Sequence, residues 1–479
     1  MRPVDWLIVG SGPAGCAAAA ALVIRGIKPV ILDGGIVSVP VPVGGAAPTR
    51  QEPGRKAWFG STQAYEQITP PALTYEGDVL ARASYGRGGF SRVWGATAEL
   101  SSDWTAWPSE ALPTTEDIDL LWRVLPSATT AWGMAIGANS SDVPGSELSK
   151  RVLDRVQRVA DRAAWIVEPS VVAIDTGQGS VRRCRPCAQC LTGCLRGSIW
   201  YSGQVVEAWA ATDLVDYRPG HVVESVDEER GGVRVTLRTD SGVAEILWAG
   251  RVLVAAGALS SAAIVVSSGI LDEVRVRETA TAFGGIVGVT RAPAGDGFHH
   301  GLSQWWIKDK QDHIMAQVYA PSSDHAERIA ARIPKSLRGL RLNERVAKRV
   351  HPLVAYLSEA ESGSLLISRG KFGVTVSADS KTERETFIRR LKPLADLFKR
   401  SGMWMPLRAI EFTPPGTGYH FGASLPHGLI TDALGRLAGS QRVHFVDSSV
   451  LPTIRLGSVT PTVMLNAMRI ARQVDESAA

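Results

Sequence analysis

The sequence predicts an α/β protein built around a parallel sheet whose strands lead into helices. Three segments carry this prediction. A short apolar strand at residues 5–10 runs into a glycine-rich turn and an alanine-rich helix. An apolar run at 252–256 has the composition of a parallel strand buried on both faces, and it turns into a helix at Gly257. A third strand and helix, within residues 442–474, close the pattern.

Composition and charge exclude several classes of protein. The chain has 479 residues, enough for two or three domains. Hydrophobic residues make up 45% and charged residues 21%, which excludes a disordered or collagen-like chain. The net charge of +5 permits anionic substrates, but it is too small to indicate nucleic-acid binding, and no nucleic-acid-binding motif is present.

No membrane or export signal is recognisable in the sequence. Apolar runs stay shorter than the roughly 18–20 residues of a membrane-spanning helix, so no transmembrane segment is predicted. The N-terminal residues lack the charged, apolar and small-residue parts of a secretory signal. We therefore expect a cytoplasmic protein.

The first turn reads GSGPAG between a strand and a helix, the context in which the G-x-G-x-x-G pattern binds a dinucleotide. Gly10 permits the tight turn, Gly12 lets the backbone approach a pyrophosphate, and Gly15 lets the helix pack closely. Pro13 and Ala14 begin the helix, whose N-terminal amides and dipole favour phosphate groups. The missing N–H of Pro13 would be unpaired there in any case.

A carboxylate completes this motif. Asp33 follows a second predicted strand at residues 28–32, about 20 residues beyond the loop, where an acidic side chain accepts the ribose hydroxyls. The loop and the carboxylate together predict a dinucleotide cofactor. They do not distinguish NAD from FAD.

A second glycine-rich loop, at residues 85–95, favours a bulky ligand such as a flavin. Glycines let backbone amides approach such a ligand without clashes from Cβ atoms. The residues of this loop assigned to the cofactor site are Gly88, Gly89, Ser91, Trp94 and Gly95.

The middle segment supplies a further glycine between a strand and a helix. Gly257 presents backbone amides that suit a phosphate or a ribose. Before it, residues 213–245 alternate in the β pattern around a Gly-Gly turn, which predicts a small meander inserted before the last core strand. Val223 in this meander is also assigned to the cofactor site.

The C-terminal segment predicts another helix start near a ligand. Thr460 is a natural N-cap and Pro461 a natural first helical residue. A helix N-terminus at this point favours the reduced, anionic form of a flavin ring. Asp447 and Thr462 are assigned to the cofactor site with them.

These segments together resemble the glucose–methanol–choline (GMC) family of flavin oxidoreductases. The matching features, in order along nearly the whole chain, are residues 10–15 with Asp33, residues 88–95, the Trp-Pro segment at 103–108, residues 257–269 and residues 446–453. The resemblance implies FAD as the cofactor and an alcohol or a sugar as the small-molecule substrate.

The resemblance also implies two domains. A discontinuous, Rossmann-like FAD-binding domain would comprise residues 1–277, with a cysteine-rich insertion around 180–200, and residues 416–479. An α+β substrate-binding domain would comprise residues 278–415. Within the second domain we expect strands over 363–378 and a helix over 380–401 packed on them.

The resemblance identifies a catalytic base. In the family, a histidine just before the closing segment takes the alcohol proton while hydride passes to the flavin, and the matching residue is His420. Histidine titrates near neutrality, as this chemistry requires. The family usually places a second His or Asn where this chain has Thr460, whose hydroxyl can bond the substrate oxygen but cannot act as a base. Thr460 is therefore either catalytic or only a helix cap. His427, His299 and His300 are weaker candidates for substrate contacts.

Four cysteines lie close together. Cys184, Cys187, Cys190 and Cys194 follow the C-x2-C-x2-C-x3-C spacing of bacterial ferredoxins, which predicts an iron–sulfur cluster. Some GMC sugar dehydrogenases resemble this chain in carrying such a segment. The cluster would be 4Fe-4S, or 3Fe-4S if Cys194 is spare. Zinc and free or paired thiols stay open, although zinc-binding pairs usually lie further apart and a reducing cytosol disfavours disulfides. Cys16 is most simply a packing residue.

A cluster implies how electrons leave. Iron–sulfur centres carry single electrons, which would pass to an acceptor other than dioxygen. We therefore expect an FAD-dependent dehydrogenase that oxidises an alcohol, a sugar or glycoside hydroxyl, with an electron-acceptor protein as a partner. Two alternatives stay open: an alcohol oxidase that uses dioxygen and holds a structural metal at the cysteines, and a non-catalytic electron-transfer flavoprotein.

Two further features have both structural and functional interpretations. The basic stretch at 332–350 is either a solvated helix face or a docking surface. Trp305, Trp306 and Trp404 fall in the predicted substrate domain, where their rings can stack on a sugar or pack in the core.

Overall fold

The structure is a computed structural model of the chain. It describes residues 3–35, 73–77, 79, 81, 83–101, 103–127, 134–138, 145–177, 180, 182–188, 190, 194, 196–288, 299–321, 349–371, 373–418 and 420–474. Most of the basic stretch, residues 332–348, lies outside these ranges.

The helices among the described residues are α1 (Pro13–Ile24), α2 (Thr115–Ser127), α3 (Glu147–Val159), α4 (Ser202–Ala211), α5 (Ala258–Ser267), α6 (Arg384–Arg400) and α7 (Val459–Gln473). The strands of the first half are β1 (Val4–Val9), β2 (Val30–Leu32), β3 (Leu73–Tyr75), β4 (Met134–Ala138), β5 (Trp165–Pro169), β6 (Val172–Asp175), β7 (Asp216–Arg218), β8 (His221–Glu229), β9 (Gly232–Thr239) and β10 (Ala244–Val254). Those of the second half are β11 (Glu273–Glu278), β12 (Thr281–Gly288), β13 (Ser303–Asp309), β14 (Ile314–Tyr319), β15 (Val350–Leu357), β16 (Ser364–Gly370), β17 (Gly373–Ser380), β18 (Met403–Trp404), β19 (Glu411–Phe412), β20 (Phe421–Gly422) and β21 (Val443–Phe445).

The first sheet has the order β7-β2-β1-β10-β9-β8, and β21 pairs with β10. β7, β2, β1, β10 and β21 run parallel, with Leu253 of β10 opposite Ile8 of β1 and His444 of β21. The first half of β10 instead pairs antiparallel with β9, which pairs antiparallel with β8. The predicted parallel strand and the predicted meander are thus two halves of one sheet, and the predicted α/β class is confirmed.

Both faces of the first sheet are covered. Alternate residues of β1 and β2, such as Ile8 and Ile31, pack against α1 and α7 on one face. Their neighbours, such as Leu7 and Leu32, pack against α5 on the other. The alanine side chains of α1 are almost completely buried. Because they are small, the helix can pack close to its neighbours.

Two further large sheets lie among the described residues, and they correct one prediction. The second has the order β20-β11-β16-β17-β3, and its core is continuous with that around α5. The third has the order β18-β12-β15-β14-β13-β5, with β19 beside β12, and α3 and α6 cover it. The predicted helix at 380–401 forms as α6, but the prediction that it packs on strands 363–378 is wrong. Its apolar stripe, including Phe387 and Leu391, is buried against the third sheet instead.

The domain boundaries stay a prediction. Most of the third sheet falls within residues 278–415, yet its edge strand β5 comes from the predicted first domain and pairs with β13. β4 and β6 form a separate two-stranded sheet. No helix among the described residues is both long and apolar enough to cross a membrane.

Candidate cofactor and active site

A cleft of about 1200 Å³, counted out to its open mouth, lies at the carboxyl ends of the parallel strands. The segments that follow β1, β2, β10 and β21 all line it, together with the start of α7. The carboxyl edge of a parallel sheet is where α/β proteins bind their ligands, because loops and helix N-termini converge there.

The three glycines of the first turn have different surroundings. Gly10 has a φ of +99°, and a Cβ there would lie 2.5 Å from the carbonyl oxygen of Ala255. A Cβ on Gly15 would lie 2.0 Å from the carbonyl oxygen of Gly10. Around Gly12, in contrast, no protein atom among the described residues lies within 4 Å of a Cβ position, and this residue lines the cleft. The structure therefore needs glycine at two positions for its own packing and leaves the third open towards a ligand.

Asp33 lies beside this turn with its carboxylate partly engaged. Its two oxygens accept hydrogen bonds from the backbone N–H groups of Ser11 (2.7 Å) and Gly35 (2.6 Å). Burial raises the pKa of Asp33 to about 6, although these hydrogen bonds and the charge of Arg87 act in the opposite direction. Each carboxylate oxygen can accept more than one hydrogen bond, so Asp33 keeps the capacity to accept a hydroxyl from a ligand in the cleft.

Asp447 links two elements that line the cleft. Its buried carboxylate accepts hydrogen bonds from the N–H of Gly257 (2.8 Å), the hydroxyl of Ser261 and the N–H of Ser449 (2.9 Å). Burial raises the pKa of Asp447 above its ordinary value, although these hydrogen bonds act in the opposite direction. The side chain thereby fixes the first turn of α5 against the C-terminal segment.

The structure brings most of the predicted cofactor residues to one cleft. Those that line it are Gly10, Gly12, Pro13, Ala14, Asp33, Gly89, Val223, Gly257, Asp447 and Thr460. Those that do not are Gly15, Gly88, Ser91, Trp94, Gly95, Pro461 and Thr462.

Several of the predicted residues that do not line the cleft make hydrogen bonds that hold its wall in place. The N–H of Gly88 donates to the hydroxyl of Ser11 (2.8 Å), which joins the two glycine-rich loops. The hydroxyl of Ser91 donates to the carbonyl oxygen of Gly88 (2.5 Å). The indole N–H of Trp94 donates to the carbonyl oxygen of Trp200 (2.8 Å).

Sequence reasoning missed several residues of the cleft wall. Tyr85 and Ser260 line it, and the Ser260 hydroxyl donates to the Tyr85 phenol oxygen (3.2 Å). His221 lines it at the start of β8. Tyr85 is the first residue of the second glycine-rich loop, which is the one signal that could have pointed to it.

His420 lines the same cleft. Its ring stacks on Tyr356, with centroids 5.3 Å apart and an angle of 14° between the planes. Its Nδ1 atom is buried and has no hydrogen-bond partner among the described residues. Burial lowers the pKa of His420 to about 4, so the imidazole is neutral at neutral pH and able to accept a proton.

The prediction that Thr460 caps the last helix is wrong. α7 begins at Val459, and its N-cap is Ser458. The Ser458 hydroxyl does not cap the helix either; it bonds to the carbonyl and hydroxyl oxygens of Thr97 and to the carboxylate of Glu99. Thr460 lies inside the first turn and lines the cleft, so a contact of its hydroxyl with substrate stays a prediction.

The weaker histidine candidates do not line the cleft. His427 is buried, with Nδ1 bonded to the carbonyl oxygen of Asp432 (2.7 Å) and Nε2 to the amide of Asn466 (3.2 Å). His299 and His300 are buried beside the cysteine segment, where the N–H of Ala188 donates to the His299 carbonyl oxygen (2.8 Å). The His299 Nδ1 atom bonds to the carbonyl oxygen of His300 (2.9 Å), and the His300 Nδ1 atom lies 3.3 Å from the side-chain amide of Gln304. These contacts give the three side chains structural roles.

The tryptophans are also absent from the lining of the cleft. Trp305 is fully buried and packs edge-on against Phe398 of α6. Trp306 is buried in a small cluster with Tyr356. Trp404 is 65% exposed at the edge of the third sheet. Packing therefore accounts for the first two.

The four clustered cysteines are free thiols. Two of their sulfur atoms accept backbone hydrogen bonds: Cys190 from Gly301 and Cys194 from Ser198, both at 3.2 Å. Amide hydrogen bonds to sulfur are also found around iron–sulfur clusters, where they tune the potential. In the part of the chain that the structure describes, no group of three or more His, Cys, Asp or Glu side chains is arranged to hold a metal ion. The iron–sulfur cluster stays a prediction.

The fold and the cleft together define an α/β protein with a candidate cofactor site at the carboxyl edge of its parallel strands. No family model matches the chain, and no curated protein matches it. Among solved structures it is similar to pyridoxine 4-oxidase from Mesorbium loti, with a TM-score of 0.65 and 15% sequence identity. The similarity covers 98% of this chain and 99% of that chain. At this identity it establishes the fold over essentially the whole length.

Proposed function

We propose that this chain is an FAD-dependent oxidoreductase of the GMC type, which oxidises an alcohol such as a sugar or glycoside hydroxyl. One observation carries the proposal: His420 lines the same cleft as the Gly10–Gly15 turn and the start of α7. A proton acceptor and a dinucleotide-binding turn therefore share one cavity. The full-length similarity to pyridoxine 4-oxidase agrees with the architecture that the GMC resemblance implies.

The residues of the cleft fit FAD. Gly12 has open space at its Cβ position, and α1 begins beside it with no side-chain cap, so backbone amides are available to a pyrophosphate. Asp33 has acceptor capacity for ribose hydroxyls. Gly257 also lines the cleft with open space at its Cβ position. When bound, FAD supplies the acceptor for the hydride of the alcohol carbon.

His420 is the group that we assign to the alcohol proton. Its imidazole is neutral at neutral pH, because burial disfavours the charged form. For the same reason, the imidazolium formed by proton transfer is stable only while a compensating negative charge lies in the cleft. Stacking on Tyr356 restricts the tilt of the ring, which orients the proton-accepting atom.

Two electron acceptors have support. The cysteine run favours an iron–sulfur cluster and hence a dehydrogenase. The similarity to an enzyme named as an oxidase favours dioxygen instead. Protein reduced by substrate is mixed either with dioxygen or, anaerobically, with an artificial one-electron acceptor, and the two rates of FAD reoxidation distinguish an oxidase from a dehydrogenase.

Anaerobic mixing of the purified protein with a panel of alcohols tests the function. The panel contains sugars, glycosides, aliphatic alcohols and pyridoxine. We expect at least one alcohol to bleach the visible absorbance of bound FAD and to yield the corresponding carbonyl product. Dithionite serves as a control that the FAD is reducible. Protein that binds no FAD, or FAD that dithionite reduces and no alcohol does, would contradict the proposal.

The cysteine segment gives a separate prediction. Anaerobically purified protein is expected to contain about three or four iron atoms and as many acid-labile sulfides per chain, as in 3Fe-4S or 4Fe-4S clusters. Cys190→Ala should lose this iron, because it removes one ligand. Cys16→Ala is the matched control, since Cys16 is buried in α1 within the first core and should not affect the iron. Iron-free protein, or stoichiometric zinc, would refute the cluster.

A further inference from the structure

Glu278 is a buried carboxylate that has no role in the proposed cofactor binding or in the proposed proton transfer. It is the last residue of β11 and is only 2% exposed. One carboxylate oxygen accepts a hydrogen bond from the N–H of Gly416 (3.0 Å), and the N–H of Gly418 bonds to the same side chain. Two backbone N–H groups of one short segment are thus held by one buried acceptor.

The segment 416–418 is shaped to reach this carboxylate. Gly416 has a φ of +79°, and a Cβ there would lie 2.7 Å from the backbone nitrogen of Ala81. A Cβ on Gly418 would lie 2.8 Å from the carbonyl oxygen of Thr279 and 3.1 Å from the carboxylate itself. Only glycine permits the approach at either position. The close packing at both glycines shows that this backbone conformation is specific to the contact with Glu278.

The carboxyl end of β11 also bonds to the backbone at His420, the proposed base. The N–H of Thr279 donates to the carbonyl oxygen of His420 (3.1 Å). Immediately beyond it, β11 pairs with β20, with Glu278 opposite Phe421. The backbone at and after His420 is therefore fixed by β11, and the backbone before it is fixed by the Glu278 side chain.

The His420 ring needs such external support. Its Nδ1 atom has no hydrogen-bond partner among the described residues, so no bond at that nitrogen fixes the rotation of the ring. Stacking on Tyr356 and the position of its own backbone are two constraints on the ring. The segment 416–418 lies two residues before His420, so we expect its displacement to tilt the imidazole even while the His420 carbonyl oxygen stays bonded to Thr279.

We propose that Glu278 is a positioning residue, whose carboxylate fixes the segment 416–418 and thereby sets the orientation of the His420 imidazole in the cleft. The inference rests on the proposed function, because it concerns the base of that reaction. Burial raises the pKa of Glu278 to about 7, which agrees with a carboxyl group held by amides rather than by a cation.

Glu278→Gln and Glu278→Ala test this role. Gln keeps an acceptor oxygen and the shape of the side chain but removes the carboxylate charge, whereas Ala removes both bonds. Since a misplacement of about 1 Å can cost about 100-fold, we expect FAD reduction at saturating alcohol to slow about 10-fold in the Gln variant and about 100-fold in the Ala variant. KM for the alcohol and the FAD content should stay near their wild-type values. Glu273→Gln, an exposed position at the other end of β11, is the matched control and should behave as wild type.

A spectroscopic signal makes the test independent of turnover. The holoenzyme is labelled with 13C in its histidine imidazoles, and the His420 resonance is assigned by its loss in His420→Asn. We expect this resonance to shift or broaden in the Gln variant, with the other histidine signals and the melting temperature nearly unchanged.

The outcomes separate the two proposals. An unchanged His420 resonance together with wild-type reduction kinetics in the Gln variant would overturn the positioning role. A shifted resonance in a protein whose FAD no alcohol reduces would support the positioning of His420 and count against the proposed reaction.

Discussion

His420→Ala is expected to slow the reduction of bound FAD by alcohol by about 10²–10⁴-fold, the usual contribution of a general base. The imidazole lines the cleft in its neutral form, and alanine leaves no group there to accept the hydroxyl proton. FAD content should not change, because the glycine turn and Asp33 lie on other elements. Anaerobic stopped-flow measurement of flavin bleaching checks the rate.

A second histidine controls for nonspecific effects. His313 is half-buried and bonds to Asp309 (3.1 Å), and it does not line the cleft. His313→Ala should therefore reduce FAD at the wild-type rate. If His420→Ala also does so, the alcohol proton leaves by another route and the proposed base is wrong.

The pH dependence of the same reaction follows from burial. The folded protein holds the pKa of His420 at about 4, below the ordinary value of 6.5. A base must be unprotonated, so the rate should stay level as the pH falls through 6.5 and decline only towards pH 4. A loss of rate centred near 6.5 would instead indicate a solvated imidazole.

Gly12→Val is expected to leave the fold intact and to weaken FAD binding. The backbone at Gly12 is extended, with φ −61° and ψ 178°, which valine adopts without strain. Apart from its chain neighbours, no described residue has an atom within 4 Å of the new Cβ. Gly12 lines the cleft, so the valine side chain would occupy the space where we place the pyrophosphate. A clash that costs about 1–3 kcal/mol weakens binding by about 5–150-fold.

FAD per chain after dialysis, together with the melting temperature of the cofactor-free protein, provides the measurement. Gly231→Val is the matched control: it also has open space at its Cβ position, but it lies in the β8–β9 turn and does not line the cleft. We expect that variant to retain FAD. Equal FAD affinity in Gly12→Val and wild type would exclude the assigned pyrophosphate position.

Local sequence patterns predicted the parts of the fold in which one segment determines its own structure. The strand, glycine turn and helix at the N-terminus appear as β1 and α1, with Gly10 in the positive-φ conformation that its turn requires. The run at 252–256 lies largely in β10, because an all-apolar strand is stable only when covered on both faces.

Tertiary contacts determined the features of the fold that local sequence patterns do not specify. Strands 363–378 form as expected, but pairing with β11 places them in the second sheet, and no local pattern specifies that partner. Ser458 rather than Thr460 precedes α7, because Thr97, far away in the sequence, engages its hydroxyl. Glu278 carried no signal at all, since a single acidic residue at a strand end has no periodicity to recognise it by.

β10 has a further consequence for how the molecule is made. Its last residues are bordered on one side by the opening strand and on the other by β21, close to the end of the described chain. Asp447, in turn, secures the glycine that follows β10. β10 therefore acquires its second parallel neighbour only after residues 443–445 have been synthesised, so the N-terminal segments cannot complete this sheet by themselves. Chains truncated ahead of β21 also lack Asp447, and we expect them to bind FAD more weakly than the full chain.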